Sequence, residues 1–413
     1  MATIRPLRAL RPADALASRV ASLPYDVMNT EEAREMASGN PYSFLHVSRA
    51  EIDLPIGTDV HAPVVYQKAA ENFQAFIANG TLKQDDKPCL YAYAQTMEGR
   101  RQIGLVACSS VEDYFNDVIK KHEFTRPEKE RDRIEHMEAV KAHVGPIFLT
   151  YAPNETVRAV VERVIATVPV NDFTAADDIR HTLWIIDQAA DVDTICTAFQ
   201  KEIPYTYIAD GHHRTASAAK VGKKLQSQNP SHTGSEEYNF FLSVLFPADE
   251  LAIMDYNRVV KDLNGLTKEG LLSKLSEKFT VAPIDADLAK PAQLHDFAMY
   301  LDGAWYRLTA LKNSYTNDPI GILDVSILQD HVLAPLLGIT DPRTDTRIDF
   351  VGGIRGLKQL ARRVDSGEMA VAFAFYPVSL QQLMDIADSG NVMPPKSTWF
   401  EPKLRDGLVS HMF

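Results

Sequence analysis

Residues 205–219 read YTYIADGHHRTASAA, and this stretch limits what the chain can fold into more than any other. Apolar and aromatic residues (Ile203, Tyr205, Tyr207, Ile208) run straight into Asp210 and Gly211, after which small, helix-forming residues take over. The pattern predicts a strand, a tight turn and a helix start. Asp210 is placed to cap that helix, and Gly211 permits a backbone conformation or close approach that a Cβ would block. Ala216, Ala218 and Ala219 leave the helix back thin enough to pack closely on a sheet. Upstream, GPIFLTYAP reads as a buried strand, 155–168 as an amphipathic helix, HTLWIIDQ as a strand and 191–202 as a helix. Such a succession with short connections calls for an α/β (α+β mixed) protein, with helices packed on mixed sheets.

Before this region the signals are local. In LPYDVM, Pro24 imposes an extended approach and Asp26 follows an aromatic at the end of an expected strand, a position from which carboxylates often act on ligands. TEEAREMAS predicts a helix capped by Thr30. NPYSFLHVSRAEID predicts a turn at Asn40 and Pro41, then a strand through Phe44, Leu45 and Val47 carrying His46, Ser48 and Arg49 at its end. An apolar stripe predicts a helix over 64–79, and strands near 89–96 and 102–109 form a hairpin around Glu98 and Gly99. Two strands meet at a turn over 247–250, 267–302 reads as generic amphipathic helix and loop, and a polar loop is expected over 220–235. A boundary near 262 divides a main unit, 1–262, from a second α/β unit, 263–413.

The chemistry concentrates in three places. His212, His213 and Arg214 fall on the first turn of the helix after Gly211, where free N–H groups, the positive end of the macrodipole and a guanidinium fork together suit a phosphate. In KKHEFTRPEKERDR, Pro127 puts His122, Glu123 and Thr125 on the approach to a helix. A carboxylate beside a histidine can serve as general base, and Lys129 with Arg133, about one turn apart, can hold an anion. The end of the chain, NVMPPKSTWFEPKLRDGLVS, sets Lys396, Ser397, Thr398, Lys403 and Arg405 among aromatics, a mixture unlike a disordered tail. Residues 391–410 are expected to fold back toward the site and supply cations for phosphate.

The totals exclude several classes. With 43 Lys and Arg against 55 Asp and Glu, the net charge is −12, which argues against a general nucleic-acid binder. Three scattered cysteines give neither a disulfide framework nor a cysteine zinc site. No apolar stretch approaches a membrane span and the arginine-bearing N-terminus lacks an apolar signal region, so a cytoplasmic protein is expected. There is no GxxxxGK[ST] loop and no HExxH.

LPYDVM, NPYSFLHV, KKHEFT with KERDR, ADGHHR, DYNRVV and MPPKSTWFEPK, in this order, resemble the bacterial and archaeal family catalogued as domain of unknown function 1015, a label that carries no activity. Within it, YIADGHHRTASA is similar to the phosphate-binding DGHHR segment of ParB/sulfiredoxin-fold proteins, above all the free serine kinases. That narrower resemblance implies a ParB/sulfiredoxin-like core around 170–260, with Gly211, His212, His213 and Arg214 at nucleotide phosphates and Asp210 at the turn. It also implies ATP or ADP with Mg, and a small hydroxyl substrate, either free serine or, in reverse, phosphoserine. The catalytic carboxylates do not carry over; Asp26 and Glu123, with His122, are candidates from the residues themselves. Two other readings compete. A metal-dependent phosphatase or hydrolase would use Asp210, His212, His213, His122 and Glu123 as ligands, although adjacent helical histidines project about 100° apart. A non-enzymatic nucleotide-binding switch or ParB-like module is disfavoured by the charge. Oligomeric state, donor and acceptor stay open.

Overall fold

The computed structural model describes all 413 residues. They form two compact units, Met1–Leu251 with Pro402–Phe413, and Ala252–Glu401. No helix is long and apolar enough to cross a membrane.

Nine strands of the first unit make one mixed sheet: β1 (Ile4–Arg5), β2 (Leu90–Met97), β3 (Arg100–Ser110), β4 (Ile119–Lys120), β5 (Ile147–Tyr151), β6 (Asn171–Thr174), β7 (Arg180–Ile186), β8 (Thr206–Asp210) and β9 (Phe240–Pro247). Their order is β4-β8-β5-β9-β3-β2-β7-β6, with β1 pairing on β3. The pairs β4/β8 and β5/β9 are parallel and the rest antiparallel. The β2/β3 hairpin closes through Glu98 and Gly99, at φ 50° and 81°, as the sequence predicts. Positive φ at both central residues matches the strand twist.

Around the sheet lie α1 (Thr30–Ala37), α2 (Pro63–Ala78), α3 (Pro127–Val140), α4 (Glu155–Ile165), α5 (Ala189–Glu202) and α6 (His212–Gln228). The cap of α1 is Asn29, one residue before the expected Thr30, because Asn29 and Glu32 exchange a capping box. Leu90, Ala92, Leu105, Leu149, Ile208 and Ala219 are buried in the main core. A second cluster packs Phe44, Phe73, Phe76 and Val140 together. That packing explains one departure from expectation: Leu45–Ser48 is a helical turn, not a strand, and Phe44 meets the rings of Phe73 and Phe76 at 6.4 and 6.5 Å. The polar stretch after Lys220 is also helical as far as Gln228, and α6 lies against α3, Ser217 Oγ donating to the Glu130 carbonyl at 3.1 Å.

The second unit holds a six-stranded antiparallel sheet built from β10 (Tyr256–Val260), β11 (Phe279–Ile284), β12 (Asp296–Leu301), β13 (Ala304–Ala310), β14 (Ile348–Gly352) and β15 (Val371–Phe375). Its order is β11-β13-β12-β15-β10-β14. Two of these strands, β11 and β12, lie where helix and loop were expected. β11 is an edge strand with Pro283 in it and little burial, and every residue of β12 is buried, so neither shows the alternation that marks a half-buried strand.

Candidate functional site

The parallel pairing of β4 with β8, Thr206 opposite Ile119 and Tyr207 opposite Lys120, brings the ends of both strands out at one edge of the sheet. The loop over 121–126 and the turn at 210–214 are therefore neighbours. β5 runs antiparallel to β8, so the residues leading into it, Gly145 and Pro146, meet them there. An irregularity in the ladder between Ile208 and Asp210 re-aims the last residue of β8.

At the turn, Gly211 adopts φ 93°, and it is Gly211 that precedes α6, with no side chain capping the helix. The expected Asp210 cap is thus absent. Instead the Asp210 carboxylate receives Lys403 Nζ at 3.1 Å. Burial alone would raise its pKa, but Lys403 and Arg214 outweigh it and hold the carboxyl ionised, well below the usual carboxylate range. Arg214 folds back over its own turn: a Cβ on Gly211 would lie 3.1 Å from its Nε and 3.2 Å from its Cζ. Arg214 is 6% exposed, and its guanidinium gives one N–H to the Pro146 carbonyl at 2.7 Å, while its Nε has no partner. Burial opposes its charge, and Asp26, Asp210 and Asp406 restore it.

Both histidines of the turn engage the neighbouring loop. His212 Nε2 accepts the backbone N–H of His122 at 3.4 Å, and His213 Nε2 accepts that of Arg126 at 3.0 Å. Accepting from an amide requires a neutral ring, and burial depresses both pKa values, aided by His122 for His212 and by Arg126 for His213. Together they clamp the 121–126 loop onto the helix start. The His122 and His212 rings meet edge to face at 4.5 Å, and Glu123 lies 3.6 Å from His212 Nδ1. His122 is buried with Nδ1 unpartnered, its pKa pushed down to about 4 by burial.

Asp26 occupies an exposed turn, not a strand end. Arg49 holds that turn by donating to the Tyr25 carbonyl at 3.0 Å, and the Arg133 guanidinium covers the Tyr25 ring at 3.8 Å. Arg133 is tied to Asp132, which also accepts from Tyr66 Oη at 3.0 Å; Asp132 stays ionised although burial works against it. Lys129 is exposed on the first turn of α3, and its charge reaches His213.

Sequence reasoning did not single out Asp406. It is 3% exposed beside Gly145, where a Cβ would stand 2.8 Å from its Oδ1, and that oxygen has no partner. Burial pushes its pKa up to about 7 against the pull of Arg214. A cavity of about 20 Å³, room for about one water, is lined by Tyr25, Arg133, His136, Arg214 and Asp406, among others. The local signal was there: Asp406 and Gly407 repeat the Asp-Gly pair of the central turn, with Gly407 at φ 84°.

The predicted residues therefore divide. Asp26, His122, Glu123, Asp210, Gly211, His212, His213, Arg214, Lys129, Arg133 and Lys403 all belong to the first unit, most of them within one charged network. Lys396, Ser397 and Thr398 belong to the second. There the Lys396 carbonyl accepts from Arg258, its Nζ stands 5.6 Å from the Tyr256 ring centre, and Ser397 Oγ donates to the Pro394 carbonyl at 2.6 Å. No three His, Cys, Asp or Glu side chains converge in a metal-binding group.

Fold and site together describe a mixed α/β protein whose sheet edge carries an uncapped helix start with a buried arginine folded over it. The chain belongs to the family described as protein of unknown function DUF1015, whose profile matches residues 4–326. No curated protein matches it. Among solved structures, it is similar to a free serine kinase in complex with AMP, at 16% identity over 69% of this chain and 84% of that one, with TM-score 0.33. A conserved hypothetical protein from Pyrococcus furiosus is similar at 15% identity over 70% and 90%, TM-score 0.33. SbnI with a C-terminal truncation, from Staphylococcus aureus, is similar at 12% identity over 73% and 85%, TM-score 0.37.

Proposed function

We propose that the turn at Gly211 receives a phosphate and that the protein is a nucleotide-dependent phosphotransferase acting on a small hydroxyl metabolite, free serine being the first to test. One observation carries the reading: a helix start without a side-chain cap, against which a buried guanidinium with an unpartnered N–H is folded. Unsatisfied buried donors are rare, and helix N-termini favour anions. Lys403 adds a second cation at Asp210.

In the reaction proposed, the acceptor hydroxyl oxygen bonds to the terminal phosphorus, the bond from phosphorus to the leaving nucleotide oxygen breaks, and Asp26 takes the hydroxyl proton. Asp26 suits this role because it is exposed to an arriving acceptor while its charge acts directly on Arg214. Arg214 and Lys403 offset charge on the phosphates. Mg²⁺ commonly binds through one or two carboxylates plus substrate phosphates, so Glu123 would hold an ion that arrives with the nucleotide, with Asp26 kept for the proton. A resident-metal hydrolase needs a converging ligand set, which this chain does not form.

The test is phosphorus NMR of the purified protein with ATP or ADP, Mg²⁺ and serine, and in reverse with phosphoserine. Transfer to or from serine in the wild type, lost in Arg214→Lys and Asp26→Asn while both variants melt cooperatively, supports the reading. Full activity in Arg214→Lys and Asp26→Asn would refute it.

A further inference from the structure

The 121–126 loop is pinned at both ends by the helix-start histidines, through the His122 and Arg126 amides. The Thr125 hydroxyl adds a hydrogen bond to Glu130. Between these anchors Phe124 is 75% exposed, more than any other aromatic side chain of the protein. Its neighbours in the loop are all polar or charged. A phenyl ring held in water on a mobile end needs no explanation, but this one stands on a segment tied down on either side. It is two residues from each anchor, so its Cα lies within about 7.6 Å of a residue that touches the start of α6. Asp26 and Val27, the latter 42% exposed, carry the other turn at this edge.

A ligand whose phosphates meet Arg214 and the α6 N-terminus must extend outward from a buried guanidinium, toward that rim. We propose that Phe124 is the surface on which the base of the nucleotide stacks. The proposal rests on reading the turn at Gly211 as the phosphate site, and adds which end of the ligand the 121–126 loop holds. A bare ring offers a π face and no hydrogen-bonding pattern, so bases are preferred by stacking strength, purine over pyrimidine, and not by their edges.

Calorimetric titration separates the two ideas when ATP and inorganic pyrophosphate are compared on wild type, Phe124→Ala and Phe124→Trp. Stacking on an aromatic side chain predicts about tenfold or greater loss of ATP affinity in Phe124→Ala, retention in Phe124→Trp, and pyrophosphate binding equal in all three. Phe124 is exposed, so all three should melt alike. Equal ATP affinity in Phe124→Ala, or parallel losses for ATP and pyrophosphate, would overturn the stacking role while the phosphate site stands. A wild type that binds neither ligand removes the phosphate site, and the stacking role with it.

Discussion

Arg214 and Asp406 show what burial does to charge at this sheet edge. Arg214 keeps its proton because three carboxylates face it, whereas Asp406, with one oxygen unpartnered, is pushed up to about 7. A carboxyl whose folded pKa lies above its ordinary 3.8 binds extra protons in the native state, so its contribution falls as pH rises from about 4 to about 7. Asp406→Asn should therefore gain on the wild type by roughly 2–4 kcal/mol across that interval, read from urea unfolding at pH 5 and pH 8. Equal differences at both values would show that Asp406 is not buried as a neutral acid. Gly211 makes a second prediction. Its φ of 93° and the guanidinium 3.1 Å from where a Cβ would lie mean that Gly211→Ala should cost about 1–2 kcal/mol or more in strain alone. It should also abolish pyrophosphate binding, checked by thermal shift.

Two elements deliver side chains that their own neighbours in sequence could not place. The last twelve residues run through the first unit: Ser22 bridges Asp406, Leu10 bridges Ser410, and His411 and Met412 pair with His143 and Ala142. Arg405 donates to His181 Nε2 at 3.0 Å and Gln95 holds the Lys403 carbonyl at 2.9 Å. Removing residues 402–413 should lower the melting temperature and eliminate ligand-induced stabilisation together; a truncated protein with the full nucleotide response would contradict the role given to Lys403. The clamp on the 121–126 loop is testable on its own. In His213→Ala the Arg126 amide loses its acceptor, so its hydrogen exchange should accelerate at least tenfold while β8 amides stay protected. The helices α1 and α2 and the β2/β3 turn follow from residues a few positions apart, although the cap of α1 falls on Asn29 and not on Thr30. The Leu45–Ser48 turn was misread because four residues carry too little period to separate helix from strand, and its partners, Phe73 and Phe76, lie about thirty positions away.

Taken as a whole, the molecule buries neutral histidines. Burial lowers the pKa of His122 and His136 to about 4 and of His181 to about 3, and takes His143 and His212 well below 6.5. Each binds fewer protons folded than unfolded, so stability is complete above about pH 6.5 and is lost as pH falls toward 4; the raised pKa values of Asp406, Asp113, Asp324 and His46 work in the opposite direction. The melting temperature should drop steeply between pH 6.5 and 5, and a flat profile there would contradict five neutral buried imidazoles. Ala252–Glu401 is a continuous segment with its own antiparallel sheet and core. Expressed alone it should unfold cooperatively in urea; a broad, non-cooperative loss of signal would show that it depends on the rest of the chain. By itself, the sequence determined the strand, turn and helix around Gly211, the Glu98 and Gly99 hairpin, most helices, and the segments rich in chemistry. Those features follow from φ preferences, caps and apolar spacing, all of which act locally. Only the tertiary structure decided that β4 lies parallel to β8, that the Asp210 carboxylate meets Lys403 and caps nothing, that His212 and His213 hold a loop, and that Asp406 faces Arg214. Strand partners far apart in the chain are selected by which surfaces bury each other, and a buried charge takes its state from the groups around it; neither is written in the neighbouring residues.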